Sequence, residues 1–202
     1  MASHAAGVAL GIVATVLCVV AAARGHNSMG VVTGAIFGAS MILLYTISSV
    51  YHGLSPMVLG KKVLRVLDHC TIYLLIAGSY TPFAVVLLPQ PKGTRFCLAM
   101  WGVALAGTLV KMLWINAPRI LSTAGYLIMG WAVLFAWEDF TALGQPCLTL
   151  VALGGICYSV GAVLYAIKKP NLSAEWTFHE IFHVLILAGS LFHYLAVYFY
   201  VL

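Results

Sequence analysis

The run His179-Glu180-Ile181-Phe182-His183 places two imidazoles one helical turn apart at the start of a strongly apolar segment. Residues four apart share a helical face, and neutral imidazole is the commonest protein ligand for zinc and similar ions. The same run has a plainer reading. Thr177 and Glu180 fit the Thr-x-x-Glu capping box that starts many helices, and two histidines at a membrane edge can simply be hydrated. These residues alone leave both readings open.

The elements that must position such a pair are set by composition. The chain has 202 residues, 63% of them hydrophobic and only 7% charged, with a mean hydropathy of +1.05. A membrane span needs ~20 mostly apolar residues. Runs of that kind fall near 6–23, 30–52, 66–88, 96–114, 119–137, 146–167 and 180–201. The expected fold is therefore an all-α integral membrane protein, a seven-transmembrane-helix bundle forming a single domain over 1–202. Connecting segments are short, no low-complexity linker interrupts them, and no repeat of 20 to 50 residues is present.

The first span resembles a secretory signal in ending on Ala21-Ala22-Ala23, but its start lacks Lys or Arg and its apolar run is too long. Cys18, Cys70, Cys97, Cys147 and Cys157 form no Cys-x-x-Cys pair and are expected to pack as small buried residues. Loops two-three, four-five and six-seven carry Lys61, Lys62, Arg65, Lys111, Arg119, Lys168 and Lys169, whereas the other side carries Arg24, Lys92 and Arg95. The positive-inside rule then puts the amino terminus inside and the carboxyl terminus outside; the expected location is the plasma (inner) membrane. This asymmetry, with attraction to anionic lipid, accounts for the net charge of +5 and gives no argument for nucleic acid.

That orientation brings several polar groups to the cytoplasmic end. Span two ends at Ser48-Ser49-Val50-Tyr51-His52, span three starts at Leu67-Asp68-His69, and span seven starts with His179 and His183. Ser48 and His52 share a face, with the hydroxyl ~5 to 6 Å deeper than the imidazole. Ionisable groups in apolar spans are costly and usually functional.

Read in order, Ser-x3-His, Asp and His-x3-His resemble the haemolysin III branch of the progestin-and-adipoQ-receptor proteins, related more distantly to alkaline ceramidases. The strings Ala77-Gly78-Ser79-Tyr80-Thr81-Pro82-Phe83 and Trp114-Ile115-Asn116-Ala117-Pro118-Arg119 strengthen the resemblance, which covers nearly the whole chain. It implies seven helices, an inside amino terminus and a zinc ion held by His52, His179 and His183, with Asp68 and Ser48 beside a water on that ion. Family members usually begin with a short acidic amphipathic stretch, whereas this chain starts at Ser3-His4-Ala5-Ala6-Gly7. The function of that stretch is expected to be missing.

Three protein ligands and a water are the coordination of catalytic zinc, since structural zinc usually has four protein ligands. The expected chemistry is hydrolysis of an amide or ester in a membrane lipid, with Asp68 moving the proton and Ser48 orienting the water or donating to developing charge. A hydroxyl bonded to the carbonyl four residues back is the ordinary alternative for Ser48. A receptor-like or membrane-homeostasis protein with a structural zinc is the second reading. An intramembrane metalloprotease, in which Glu180 of His-Glu-x-x-His is the general base, is a third. A pore-forming cytolysin fits worse, because a soluble toxin must hide its apolar surface before insertion. Oligomeric state and lipid identity are not legible.

Other polar residues receive plainer expectations. His193 lies fourteen residues beyond His179, ~21 Å along a helix, and should make a hydrogen bond within the bundle. His69 points about 100° away from Asp68, and His4 and His26 carry no reading. Glu138 and Asp139 should be solvated. Gly30, Gly34 and Gly38 should set close helix packing. Pro82 should kink span three and open space above Asp68. Tyr73, Tyr80, Trp101 and Trp131 should serve packing or the interface.

Overall fold

The structure is a computed structural model that describes residues 2–55, 57–114, 116–173 and 175–202. Ile115 of the 114–119 string lies outside that set. Among the described residues all regular structure is helical. It comprises α1 (Ala2–Arg24), α2 (Ser28–Gly53), α3 (Lys61–Pro82), α4 (Lys92–Leu113), α5 (Arg119–Gly130), α6 (Trp137–Thr141), α7 (Gln145–Ile167) and α8 (Phe178–Tyr200). A π-helical stretch, Phe83–Leu87, continues α3. A 3₁₀ stretch, Trp131–Ala136, joins α5 to α6.

Taken through these stretches, 7 segments are long and apolar enough to cross a membrane. Large apolar side chains such as Leu10, Val32, Leu105, Ile128, Val160 and Leu191 are exposed. In water such surface is costly; against hydrocarbon it is the favourable state, and helices satisfy their own backbone groups there. Many hydroxyls follow the same economy by bonding their own helix: Thr15 to the Gly11 carbonyl at 2.6 Å, Thr33 to Met29 at 2.8 Å and Thr81 to Ala77 at 2.9 Å.

Packing divides the chain into two units, Met1–Asn116 with Val197–Leu202, and Ala117–Ala196. In the first, α1 to α4 pack consecutively. Small residues permit the close approach. A side chain on Gly38 would meet Thr15 Cβ at 2.6 Å, and one on Gly34 would meet Cys18 Cβ at 3.3 Å. Two of the three regularly spaced glycines Gly30, Gly34 and Gly38 thus face α1, as expected for packing inside the molecule. Gly30 differs, because its nearest neighbours are Leu202 and its own cap residue Asn27, whose side chain accepts the Gly30 N–H at 2.7 Å. On α4, Gly107 makes room for the Tyr73 ring, 2.6 Å from where a Cβ would stand. Trp101 Nε1 donates to Thr81 Oγ1 at 3.0 Å.

One expectation is corrected. Pro82 does interrupt the α ladder, since it has no N–H to give, but the chain widens into π turns, closed by Leu88 N–H to Phe83 O at 3.1 Å. No space opens around Pro82: every residue from 77 to 84 is buried. Span five, for which only an apolar run near 119–137 was expected, changes helix type along its length. It tightens into the 3₁₀ stretch after Gly130, a residue with little helix propensity. Trp131 Nε1 there donates to Ser159 Oγ of α7 at 3.0 Å.

The second unit uses glycines in the same way between α7 and α8. A Cβ on Gly189 would meet Tyr158 Cδ1 at 2.6 Å, and one on Gly154 would meet His193 Nε2 at 2.5 Å. His193 fills that notch, its Nε2 3.2 Å from the Val151 carbonyl. It makes the intramolecular hydrogen bond expected of it.

Candidate functional site

In the first unit α2 and α3 run side by side, so the end of α2 meets the start of α3. Ser48 is buried, with 3% of its surface exposed, and its hydroxyl donates to the Asp68 carboxylate. His52, one turn further along α2, has Nε2 3.9 Å from Asp68 Oδ2. Hydroxyl, carboxylate and imidazole therefore form one group: the four-residue spacing puts Ser48 and His52 on one face of α2, and Asp68 joins them from α3. Sequence reasoning missed what holds its outer edge. Lys61 Nζ donates to the Tyr51 carbonyl and to the Leu54 carbonyl at 2.6 Å, satisfying acceptors at the end of α2. The same ammonium lies 4.5 Å from the centroid of the Tyr51 ring, and that ring meets His52 edge-on at 4.6 Å. A lysine across a loop carries no periodic signal that would announce this role.

In the second unit His179 and His183 lie on one face of α8, their ring centroids 4.4 Å apart. Two nitrogens on a tetrahedral zinc with 2.0–2.1 Å bonds are about 3.3 Å apart. Rings at this spacing can supply them. His183 is 2% exposed. Tyr165 of α7 stands beside the pair, its ring 5.9 Å from that of His179. Arg119 Cζ sits over the Tyr165 ring, 4.9 Å from its centroid. Arg119 belongs to the 114–119 string; Tyr165 was not singled out.

Glu180 is committed elsewhere. Its Oε2 accepts the Thr177 N–H at 3.2 Å and the Thr177 hydroxyl. The Thr177 hydroxyl oxygen in turn accepts the His179 N–H at 3.3 Å. Asn171 Oδ1 takes the Phe178 N–H at 3.2 Å. The first turn of α8 is thus capped much as the Thr-x-x-Glu pattern implied. The cap fixes the start of the helix and so the height of His179.

The remaining polar residues separate from these groups. His69 Nδ1 lies 2.7 Å from the Arg65 carbonyl of its own helix. His4, which carried no expectation, is 2% exposed and edge-on to Tyr45 at 5.2 Å. Glu138 is exposed and Asp139 half-buried. All five cysteines are free thiols, four of them buried.

The family model described as haemolysin-III related matches residues 1–194. The chain is 36% identical over 199 residues to the Hemolysin-3 homolog of Bacillus subtilis, covering 98% of this chain and 91% of that one. It is 35% identical over 205 residues to Hemolysin-3 of Bacillus cereus, covering 99% and 89%. More distantly, it is 28% identical over 190 residues to the adiponectin receptor protein of Drosophila melanogaster, covering 81% and 41%. No solved structure gives a significant match.

Proposed function

The chain belongs to the haemolysin III family of multi-pass membrane proteins, with adiponectin-receptor-like relatives, and on that footing we propose that it is a zinc-dependent hydrolase of amide or ester bonds in membrane lipids. One ion would be held by His52 of the first unit and by His179 and His183 of the second. Such an ion polarises a carbonyl and lowers the pKa of a coordinated water from ~16 to about 7. Asp68 takes a proton from the attacking water and returns one to the leaving amine or alcohol. Ser48 holds the carboxylate in place through its hydrogen bond. The observation that carries the reading is this Ser48–Asp68–His52 group, an acid-base residue already fixed beside a ligand-type imidazole at the end of two membrane spans.

The metalloprotease reading needs Glu180 free as a base, and its carboxylate is occupied in the cap of α8. The name of the adiponectin receptor relative is what supports a receptor-like role, with which any metal would be structural. A panel of labelled lipids incubated with pure protein, with and without chelator, separates the two. Chelator-sensitive release of fatty acid is the expected result. Tightly held metal with no turnover on any lipid returns the structural reading and defeats the hydrolase.

The proposed group faces the cytoplasm of a plasma-membrane protein, because His52, Asp68 and His179 all lie at span ends carrying the Lys and Arg excess. In a background with the native cysteines replaced, a cysteine placed between Lys61 and Arg65 should react with an impermeant thiol reagent only after the inner face is opened. One placed beside Glu138 should react in intact cells. The reverse pattern inverts the topology.

A further inference from the structure

In the second unit, Ile156, Val160, Val163 and Ile167 are exposed and follow one another at helical spacing, so they form one apolar stripe along α7. On a membrane span such a stripe faces hydrocarbon. Ile167 is the last residue of α7, yet the exposed apolar surface continues past it. On the loop that joins α7 to α8, Leu172 is 71% exposed and Trp176 is 52% exposed. Lys168 and Lys169 stand between the stripe and these two side chains along the chain, and both are exposed.

The backbone of this loop is folded in on itself. The chain leaves α7 at Lys168 in the left-handed region, with φ of 58°, and Asn171 then clamps both helix ends. Its Nδ2 donates to the Lys168 carbonyl at 3.4 Å, and its Oδ1 accepts the Phe178 N–H at 3.2 Å. The Leu172 and Ser173 N–H groups donate to the Trp176 carbonyl at 2.9 and 3.3 Å. Ser173 Oγ accepts the N–H groups of Glu175 and Trp176 at 3.3 and 3.0 Å. These backbone groups need no water, which is the condition for side chains beside them to enter a poorly hydrated layer. Tryptophan is enriched at the level of lipid headgroups, and lysine reaches from apolar surface toward the charged layer. Charge points the same way. Lys168 and Lys169 meet a single acidic residue in the loop, Glu175, which leaves it net positive.

We propose that the α7–α8 loop docks on an anionic bilayer surface, with Leu172 and Trp176 seated among the headgroups and Lys168 and Lys169 against their phosphates. Docking there fixes the depth of the first turn of α8, because Asn171 ties the loop to Phe178 and Glu180 ties that turn to Thr177. The surface shares no residue with the proposed zinc ligands, so it stands whether or not the protein hydrolyses lipid.

The test uses the full chain in liposomes of dioleoyl phosphatidylglycerol or dioleoyl phosphatidylcholine, with a bimane fluorophore on a cysteine introduced as Leu172→Cys, Trp176→Cys or Glu175→Cys. The native thiols stay in place, since four of the five are buried and the unsubstituted chain measures their background. In phosphatidylglycerol, labels on Leu172→Cys and Trp176→Cys should be quenched by a nitroxide-bearing lipid and protected from aqueous iodide, whereas Glu175→Cys should remain open to iodide. Lys168→Gln with Lys169→Gln should lower the docking equilibrium in phosphatidylglycerol roughly fivefold per charge, the usual loss for a basic residue near an anionic surface. Lys168→Arg with Lys169→Arg should retain it. Should Trp176→Cys fail to fold, Leu172→Cys against Glu175→Cys decides alone. Equal iodide quenching at all three positions would put the loop in water and overturn the docking. Protection of Leu172→Cys from both quenchers would mean that protein covers the loop, and would overturn it as well. Equal docking in the two lipids, or docking in phosphatidylglycerol that the glutamine pair leaves unchanged, would remove the anionic surface as the partner.

Discussion

Replacing His179 or His183 with alanine should reduce the zinc bound to purified protein from about one ion per chain to a small fraction of that, and His52→Ala should do the same. Four-ligand zinc sites bind with about 10–16 kcal/mol, so one imidazole contributes roughly 3 kcal/mol, or about a hundredfold in affinity. Two internal controls share the chemistry of the ligands without their role. His193→Ala should keep its metal, because that ring is engaged with the Val151 carbonyl and lies ~21 Å along α8 from His179. His69→Ala should keep it as well, since its Nδ1 is paired with the Arg65 carbonyl. Elemental analysis on the five variants is sufficient. Full occupancy in the three proposed ligand variants would remove the site, and equal loss in His193→Ala would mean that zinc content follows folding instead of coordination.

The spans were legible because hydrocarbon is a demanding solvent: a segment crossing it must be apolar and helical, and both properties are written in composition. The pairing of Ser48 with Asp68 was legible only in part. The spacing placed Ser48 and His52 on one face, but the ordinary alternative, a bond to the helix's own carbonyl, could not be separated from a bond to α3 without knowing that the two helices abut there. What sequence hid was local departure from the α ladder. Nothing in Trp131–Ala136 distinguishes a 3₁₀ stretch from α-helix by periodicity, since the two differ by a fraction of a residue per turn. The expectation that Pro82 would open space above Asp68 fails at the proline itself for a related reason. A lost hydrogen bond can be absorbed by widening the helix, and the buried run from 77 to 84 shows neighbouring side chains filling the place. Tyr51 and Lys61 were invisible as supports of His52, because their roles depend on how a loop returns and not on any repeat.

The roles of the two acidic residues beside the histidines can be separated by a pair of isosteric changes. Asp68→Asn should keep zinc within about twofold while lowering lipid hydrolysis by roughly 10²–10⁴, the usual contribution of a general acid-base group. The amide still accepts the Ser48 hydrogen bond and still hydrogen-bonds the water, but it cannot take up a proton at neutral pH. Glu180→Gln should be mild. Its amide oxygen can go on accepting the Thr177 N–H, and removing one negative charge from the start of α8 weakens the favourable interaction with the helix dipole by only about 0.3–1 kcal/mol. That change would be visible as a small fall in melting temperature and not in turnover. An intramembrane protease would reverse the order, with Glu180 indispensable and Asp68 tolerant. A purely structural metal would give a third pattern, in which Asp68→Asn shifts the melting temperature through weakened support of His52 and no variant alters a turnover that does not exist. Zinc content, melting temperature and cleavage of lipid or peptide, measured together on Asp68→Asn and Glu180→Gln, therefore assign the chemistry. Loss of activity in Glu180→Gln alone would show that the capping carboxylate, and not Asp68, moves the proton.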